Sequence, residues 1–170
     1  GQWSTSGTGT FGNSSQLSTT YILSPADSSA GLVTLTLTSA NNGLCNTVTD
    51  QMQIFISQPA SVNAGSDATV CGNNAVALVG TITGGSGTGI WATPNGSGTF
   101  SPNNTTPNAS YNSVNADTIA GNIILVLTST NNGACPASSD TTVVTVTAGP
   151  QANAGTDQTV CSNNPSAQLN

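Results

Sequence analysis

Four cysteines and six aspartates are the side chains of this 170-residue chain that could do redox or cation-ligating chemistry. They are Cys45, Cys71, Cys135 and Cys161, and Asp27, Asp50, Asp67, Asp117, Asp140 and Asp157. Glu, Lys, Arg and His are absent. A zinc site would want paired Cys-x-x-Cys or His, and neither occurs. Calcium (Ca²⁺) takes six to eight oxygens, which Asp, Asn and carbonyl groups could supply at the junctions between units, although no EF-hand pattern exists. All six Asp are therefore candidate Ca²⁺ ligands, and turn-forming, solubilising carboxylates are the competing reading. Hydroxyls abound, with 27 Thr and 22 Ser, but a hydroxyl nucleophile needs a base and the chain holds neither His nor Lys. The aspartic-protease triplet Asp-Thr-Gly is also missing, since Asp117-Thr118 continues with Ile119 and Asp140-Thr141 with Thr142. No enzyme is expected.

The charge inventory excludes further classes. Net charge is −6 with no cation, so phosphates cannot be neutralised and nucleic acid is not an expected partner. The polybasic route to anionic membranes is closed, and no apolar run approaches the ~20 residues of a bilayer span, so membrane insertion is not expected. No signal peptide is visible, because a positive n-region is lacking; an export signal would lie outside this segment.

The candidate residues recur. Trp3 to Phe11 matches Trp91 to Phe100 with one inserted residue; Leu32–Ser39 matches Asn122–Ser129; Asn41-Asn42-Gly43-Leu44-Cys45 matches Asn131-Asn132-Gly133-Ala134-Cys135; and Asn63-Ala64-Gly65-Ser66-Asp67 matches Asn153-Ala154-Gly155-Thr156-Asp157. The offset settles at 90 residues, and every Asp and Cys obeys it. The acidic inventory is thus three positions used twice, which favours a role within each unit over one unique active site. Pro59 and Pro150 mark linkers. We read residues 1–58 as the C-terminal part of one repeat, 59–149 as a complete repeat and 150–170 as the N-terminal strands of the next. This is the pattern of a slice of a tandem array; the alternative is a subunit whose last strands complete the first domain of the next subunit.

Elements must hold these positions. Thr, Ser, Asn and Gly are poor helix formers, and apolar residues alternate with Thr in runs such as Val33-Thr34-Leu35-Thr36-Leu37-Thr38, the period of a half-buried strand. Strands are expected near 68–71, 75–83, 89–92, 98–101, 108–111, 122–130 and 141–147, with a helical turn over 118–121. Asn42-Gly43, Asn95-Gly96 and Asn132-Gly133 suit tight turns. Seven short strands in a unit of about 90 residues point to an all-β fold of tandem immunoglobulin-like β-sandwiches, with Trp91, Phe100 and Tyr111 as core anchors. Asp67 and Asp157 are expected to hydrogen-bond amides of a turn, Asp50 and Asp140 to open a strand, and Asp27 and Asp117 to sit in a loop.

The ordered string Asn-Ala-Gly-x-Asp-x-x-Val-Cys, Trp…Gly-Thr-Phe-Ser-Pro-Asn-Asn-Thr-Thr, Ala-Asp-x-x-Ala-Gly, Leu-Thr-Ser and Asn-Gly-x-Cys resembles the PKD-like/Ig-like tandem repeats of giant Bacteroidota cell-surface adhesins of the gliding and filament type. The resemblance covers nearly the whole chain. It implies an extracellular, cell-surface structural repeat of a filament or adhesin stalk, with neighbouring repeats or subunits as partners. The alternative is a surface glycan-binding module, which would show exposed aromatics. This chain departs from many such repeats in lacking every basic residue.

Four cysteines in such a setting suggest disulfides, with three possible connectivities. Cys71 with Cys135 would close a loop inside one unit and is the first expectation; a bond between stacked neighbours stays open if the two lie at opposite ends. Thr118 and Thr141 follow Asp in triplets that resemble the Bacteroidota O-glycosylation motif. Asn13, Asn95, Asn103, Asn104 and Asn108 head Asn-x-Ser/Thr sequons, which such a composition produces readily.

Overall fold

The computed structural model describes residues 1–72, 74–163 and 166–169. Strands alternate inward apolar and outward polar side chains, as the Thr spacing requires. In residues 59–149 the chain runs β6 (Ser61–Asn63), β7 (Ala68–Cys71), β8 (Ala75–Ala77), β9 (Thr81–Thr83), β10 (Thr88–Ala92), β11 (Thr99–Ser101), β12 (Ser110–Asn112), α2 (Asn115–Ala120), β13 (Asn122–Thr130) and β14 (Ser139–Thr147). One sheet has the order β10-β13-β14-β7 and the other β11-β12-β8, with β6 and β9 paired beside them. All pairings are antiparallel except β7 with β14, which is parallel and sets Ala68 opposite Val144 and Cys71 opposite Thr147. Trp91, Leu125, Leu127 and Val144 of the first sheet share one core with Val76 and Tyr111 of the second. The unit is an immunoglobulin-like β-sandwich.

Residues 1–58 repeat part of this plan. They form β1 (Gln2–Thr5), β2 (Thr10–Phe11), β3 (Tyr21–Ile22), α1 (Pro25–Ala30), β4 (Leu32–Thr38) and β5 (Thr49–Phe55), with sheets β1-β4-β5 and β2-β3. These elements correspond to β10, β11, β12, α2, β13 and β14. Counterparts of β6 to β9 are missing from 1–58, so β5 is a sheet edge where β14 is covered by β7. The aromatic stack is reproduced: Trp91–Phe100 and Phe100–Tyr111 centroids lie 6.5 and 5.3 Å apart, and Trp3–Phe11 and Phe11–Tyr21 lie 6.4 and 5.0 Å apart.

Two expectations are corrected. The strand expected over 75–83 is two strands on different partners, β8 with β12 and β9 with β6. The chain crosses between them at Gly80, where a Cβ would lie 2.8 Å from Leu127 and from the Pro107 carbonyl and 2.9 Å from Trp91. The helical turn begins earlier, at Asn115, because the side chain of Asp117 caps it. The described residues of 150–169 form no strand.

Candidate functional site

The aspartates divide into three structural pairs. Asp27 and Asp117, expected in loops, occupy the third position of α1 and α2 and are almost fully buried. Asp27 Oδ1 accepts from Thr8 N at 2.8 Å, and its Oδ2 accepts from Gly9 N at 2.9 Å, Tyr21 OH at 2.9 Å and Ser24 N at 3.0 Å. Asp117 Oδ1 accepts from Ser97 N at 2.7 Å, and its Oδ2 from Tyr111 OH at 3.0 Å and Val114 N at 3.1 Å. The Gly98 N–H donates in turn to the Tyr111 oxygen at 2.8 Å. Each carboxylate therefore ties a helix start to the glycine-rich loop after β1 or β10. Donation from the Ser24 amide holds the Asp27 carboxyl down at about 2 against the opposing effect of burial, with the Thr8 amide and the Tyr21 and Ser24 hydroxyls assisting. Burial, with the Asp117 carboxylate accepting its proton, pushes Tyr111 up to about 12. These oxygens are engaged by protein donors, which leaves little coordination capacity for a cation.

Asp140 and Asp67 form a second structural class, at the β7–β14 seam. Asp140 Oδ2 accepts from Ala64 N at 2.9 Å, and this donation is the main cause of its lowered pKa. Asp67 Oδ1 accepts from Val143 N at 2.8 Å, and Thr142 Oγ1 donates to the Ser66 carbonyl at 3.0 Å. Asp67 thus bonds a strand and not its own turn; the turn amide of Gly65 is taken by Asn63 Oδ1 at 2.8 Å, and Gly155 by Asn153 Oδ1 at 2.8 Å. The repeat equivalents Asp50 and Asp157 are exposed and accept no hydrogen bond among the described residues. Their partners by repeat would be Ala154 and Gln53, at opposite ends of the chain. Among the described residues, no group of three Asp or Cys converges as a metal site.

The four cysteines are free thiols, exposed except for half-buried Cys135. Cys71 lies opposite Thr147 at the end of β14, whereas Cys135 precedes its start at Ser139. Eight residues of strand separate the two levels, about 26 Å, and a disulfide needs Cα atoms within about 7 Å. The intra-unit Cys71–Cys135 bond is excluded. Cys135 instead meets the linker between the units: its Sγ donates to the Ser57 carbonyl at 3.2 Å, and Ala134 N donates to Ser57 Oγ at 3.3 Å. A cleft of ≈ 310 Å³ opens there, lined by Ser57, Gln58, Gly85 and Asn132 among others. The buried Asn132 Oδ1 finds no donor among the described residues.

Thr141 is exposed on β14, while Thr118 is half-buried on α2, where a Cβ at Gly72 would press on it. Trp91 is inaccessible, with Nε1 donating to the Pro107 carbonyl at 3.0 Å. Trp3 makes the same bond to Leu17 at 3.3 Å but is only half-buried, beside an apolar groove of ≈ 230 Å³ lined by Trp3, Tyr21, Leu35, Met52 and Ile54 among others. Sequence reasoning found the aspartates and cysteines but did not place this groove.

No family model and no curated protein matches the chain. Among solved structures it is similar to mouse cadherin-23 EC22–24 (11% identity, 85% of this chain, 53% of that chain, TM-score 0.40). It is also similar to the extracellular cadherin domains 3–6 of protocadherin gamma B2 (12% identity, 86% and 40% covered, TM-score 0.36) and to the insect immune protein hemolin (10%, 69% and 29%, TM-score 0.37). The chain spans about half or less of the length of these proteins. Likenesses this loose say nothing of ligand or partner. No helix among the described residues is long and apolar enough to cross a membrane.

Proposed function

We propose that this chain is a non-catalytic structural repeat of an extracellular, cell-surface filament or adhesin stalk, as its resemblance to the Bacteroidota repeats implies. The observation that carries this is the double use of one plan. The same aromatic stack and the same buried Asp–Tyr clamp recur at an offset of about 90 residues. Four of the six aspartates are engaged in holding strands, loops and helix starts together. Repetition of a small sandwich gives length, and a cation-free surface rich in Thr, Ser and Asn stays soluble and resists side-on association. The domain division at 58/59 and 149/150 follows from the same repeat. Carbohydrate on Thr118 or Thr141 would be added surface; Thr141 is the better placed of the two.

Electron microscopy of the native material tests the proposal. A fibre whose axial period matches one or two units is expected; dispersed particles of two domains would overturn it. The glycan-binding reading draws on the half-exposed Trp3 alone, and a soluble glycan that quenches or shifts Trp3 fluorescence would favour it.

A further inference from the structure

The complete unit carries one cysteine at either end. Cys71 closes β7 beside Thr147, and Cys135 sits in the loop between β13 and β14 at the opposite end, against the linker from the preceding unit. The shape of that loop belongs to each repeat. Asn131 and Gly133 hold φ of 54° and 62°, and Cys135 N donates to the Asn132 carbonyl at 3.1 Å. Their counterparts Asn41 and Gly43 both hold φ of 60°, and Cys45 N donates to the Asn42 carbonyl at 3.0 Å. The linker is seated closely on this end of the sandwich. A Cβ at Gly133 would collide with Ser57 and one at Gly84 with the Pro59 carbonyl, while one at Gly85 would press on Ala60 at 3.3 Å. Close packing of this kind holds the joint in one geometry and keeps the Cys135 sulfur on the Ser57 carbonyl.

The offset of 90 residues makes Ser57 the counterpart of Thr147. The chain reaches both in the same way: Ile56 N donates to the Gly31 carbonyl at 2.9 Å, as Val146 N does to Gly121 at 2.7 Å. The Thr147 carbonyl accepts from Gly72 N at 2.7 Å, and the Ser57 carbonyl accepts from Cys135 Sγ at 3.2 Å. A carbonyl oxygen has two lone pairs and can take both donors. A repeat joined to residues 59–149 as these are joined to 1–58 therefore brings its own Asn-Gly-x-Cys sulfur onto the same oxygen as the residue after Cys71. We propose that Cys71 forms a disulfide with that cysteine of the following repeat, and Cys135 with the Cys71 counterpart of the preceding one. Parallel strands lie about 4.8 Å apart and a disulfide spans Cα atoms up to about 7 Å apart, so the spacing suits the bond. Such head-to-tail bonds do not close on themselves and run on along the array. A pull along the polypeptide passes through β14 and the linker; the bond adds β7 as a second covalent route. Each bond forms from two thiols with loss of two electrons and two protons. A low-molecular-weight disulfide such as oxidised glutathione accepts both and leaves as two thiols.

This inference deepens the filament reading and rests on its tandem repeats. Two preparations test it. Native material is alkylated without reduction and digested with pepsin, since trypsin has no site. The Cys71 peptide should emerge bonded to a peptide holding an Asn-Gly-x-Cys motif, and the Cys135 peptide bonded to one holding Val-Cys. The second preparation is a chain in which Val146 continues into a second copy of residues 57–149, which repeats the joint. Oxidised glutathione should remove two of its thiols, mapping to Cys71 of the first copy and Cys135 of the second. Cys71→Ser in the first copy or Cys135→Ser in the second should abolish the bond, whereas Cys135→Ser in the first copy should leave it. Buried tryptophan emission confirms that each variant is folded. A bond between Cys71 and Cys135 of one copy, or free thiols throughout the folded tandem chain, would overturn the inference. Native fibres with unpaired cysteines would overturn it too while leaving the filament reading standing. Dispersed native particles that contain the bond would overturn the filament reading and support the staple.

Discussion

Asp117 shows how one short acidic side chain can substitute for the missing cations and long polar residues. It accepts from the Ser97 amide in the loop after β10, the buried Tyr111 hydroxyl of β12 and the Val114 amide at the helix start, with the carboxylate itself buried. Asp117→Ala leaves the Ser97 and Val114 amides and the Tyr111 hydroxyl without an acceptor; Ser97 and Val114 are exposed and can turn to water, whereas the Tyr111 hydroxyl is sealed, and an unsatisfied buried group costs ~1–3 kcal/mol. We therefore expect chemical denaturation to show a loss of about 1–3 kcal/mol, with Asp117→Asn milder because it keeps one acceptor oxygen. Asp27 makes the corresponding prediction for pH. Its folded pKa of about 2 lies below the ordinary 3.8, so its stabilisation is fully present above about pH 4 and disappears as pH falls through 2. Thermal midpoints should drop over that window, Asp140 contributing with the same sign, and Asp27→Asn should flatten the drop. At the alkaline end the sign reverses. Tyr111 ionises in the unfolded chain near 10 but only near 12 when folded, so stability falls as pH rises through that interval, and Tyr111→Phe removes that part of the decline.

At the scale of elements, the crossing from β8 to β9 is the tightest point of the sandwich. Gly80 N donates to the Pro107 carbonyl at 3.2 Å, which draws its Cα against Trp91 and Leu127. Gly80→Ala forces a methyl group onto backbone and an inaccessible indole, and overpacking of this kind costs typically ~1–3 kcal/mol. Urea titration should show that loss in the complete unit. The same reasoning explains why the run 75–83 reads as one strand in sequence: its apolar residues keep period two, while the change of partner depends on a close approach visible only in three dimensions.

For the whole molecule, completeness distinguishes the two units. Trp91 is sealed and Trp3 is half-open, so a neutral quencher should reach one tryptophan of two at low concentration. Chelation makes a separate prediction. Four of the six carboxylates already accept amide or hydroxyl protons, so EDTA should leave the thermal midpoint of the chain where it was; a marked fall would reveal a calcium site.

The amino-acid sequence by itself determined the class of fold, the 90-residue repeat and the equivalence of every Asp and Cys, because these follow from period-two alternation and from local identity. It also placed Trp91 and Tyr111 in the core, since large aromatics amid Thr and Ser have nowhere else to be buried. Only the tertiary structure decided what the equivalent residues do. Asp117 is a clamp because a tyrosine six residues earlier and a loop twenty residues earlier converge on it. Cys71 and Cys135 are kept apart because β7 runs parallel to β14, which sends them to opposite ends of the sandwich. Pairing direction, like the partner of an edge strand, is set by contacts distant along the chain, and no local pattern of residues encodes it.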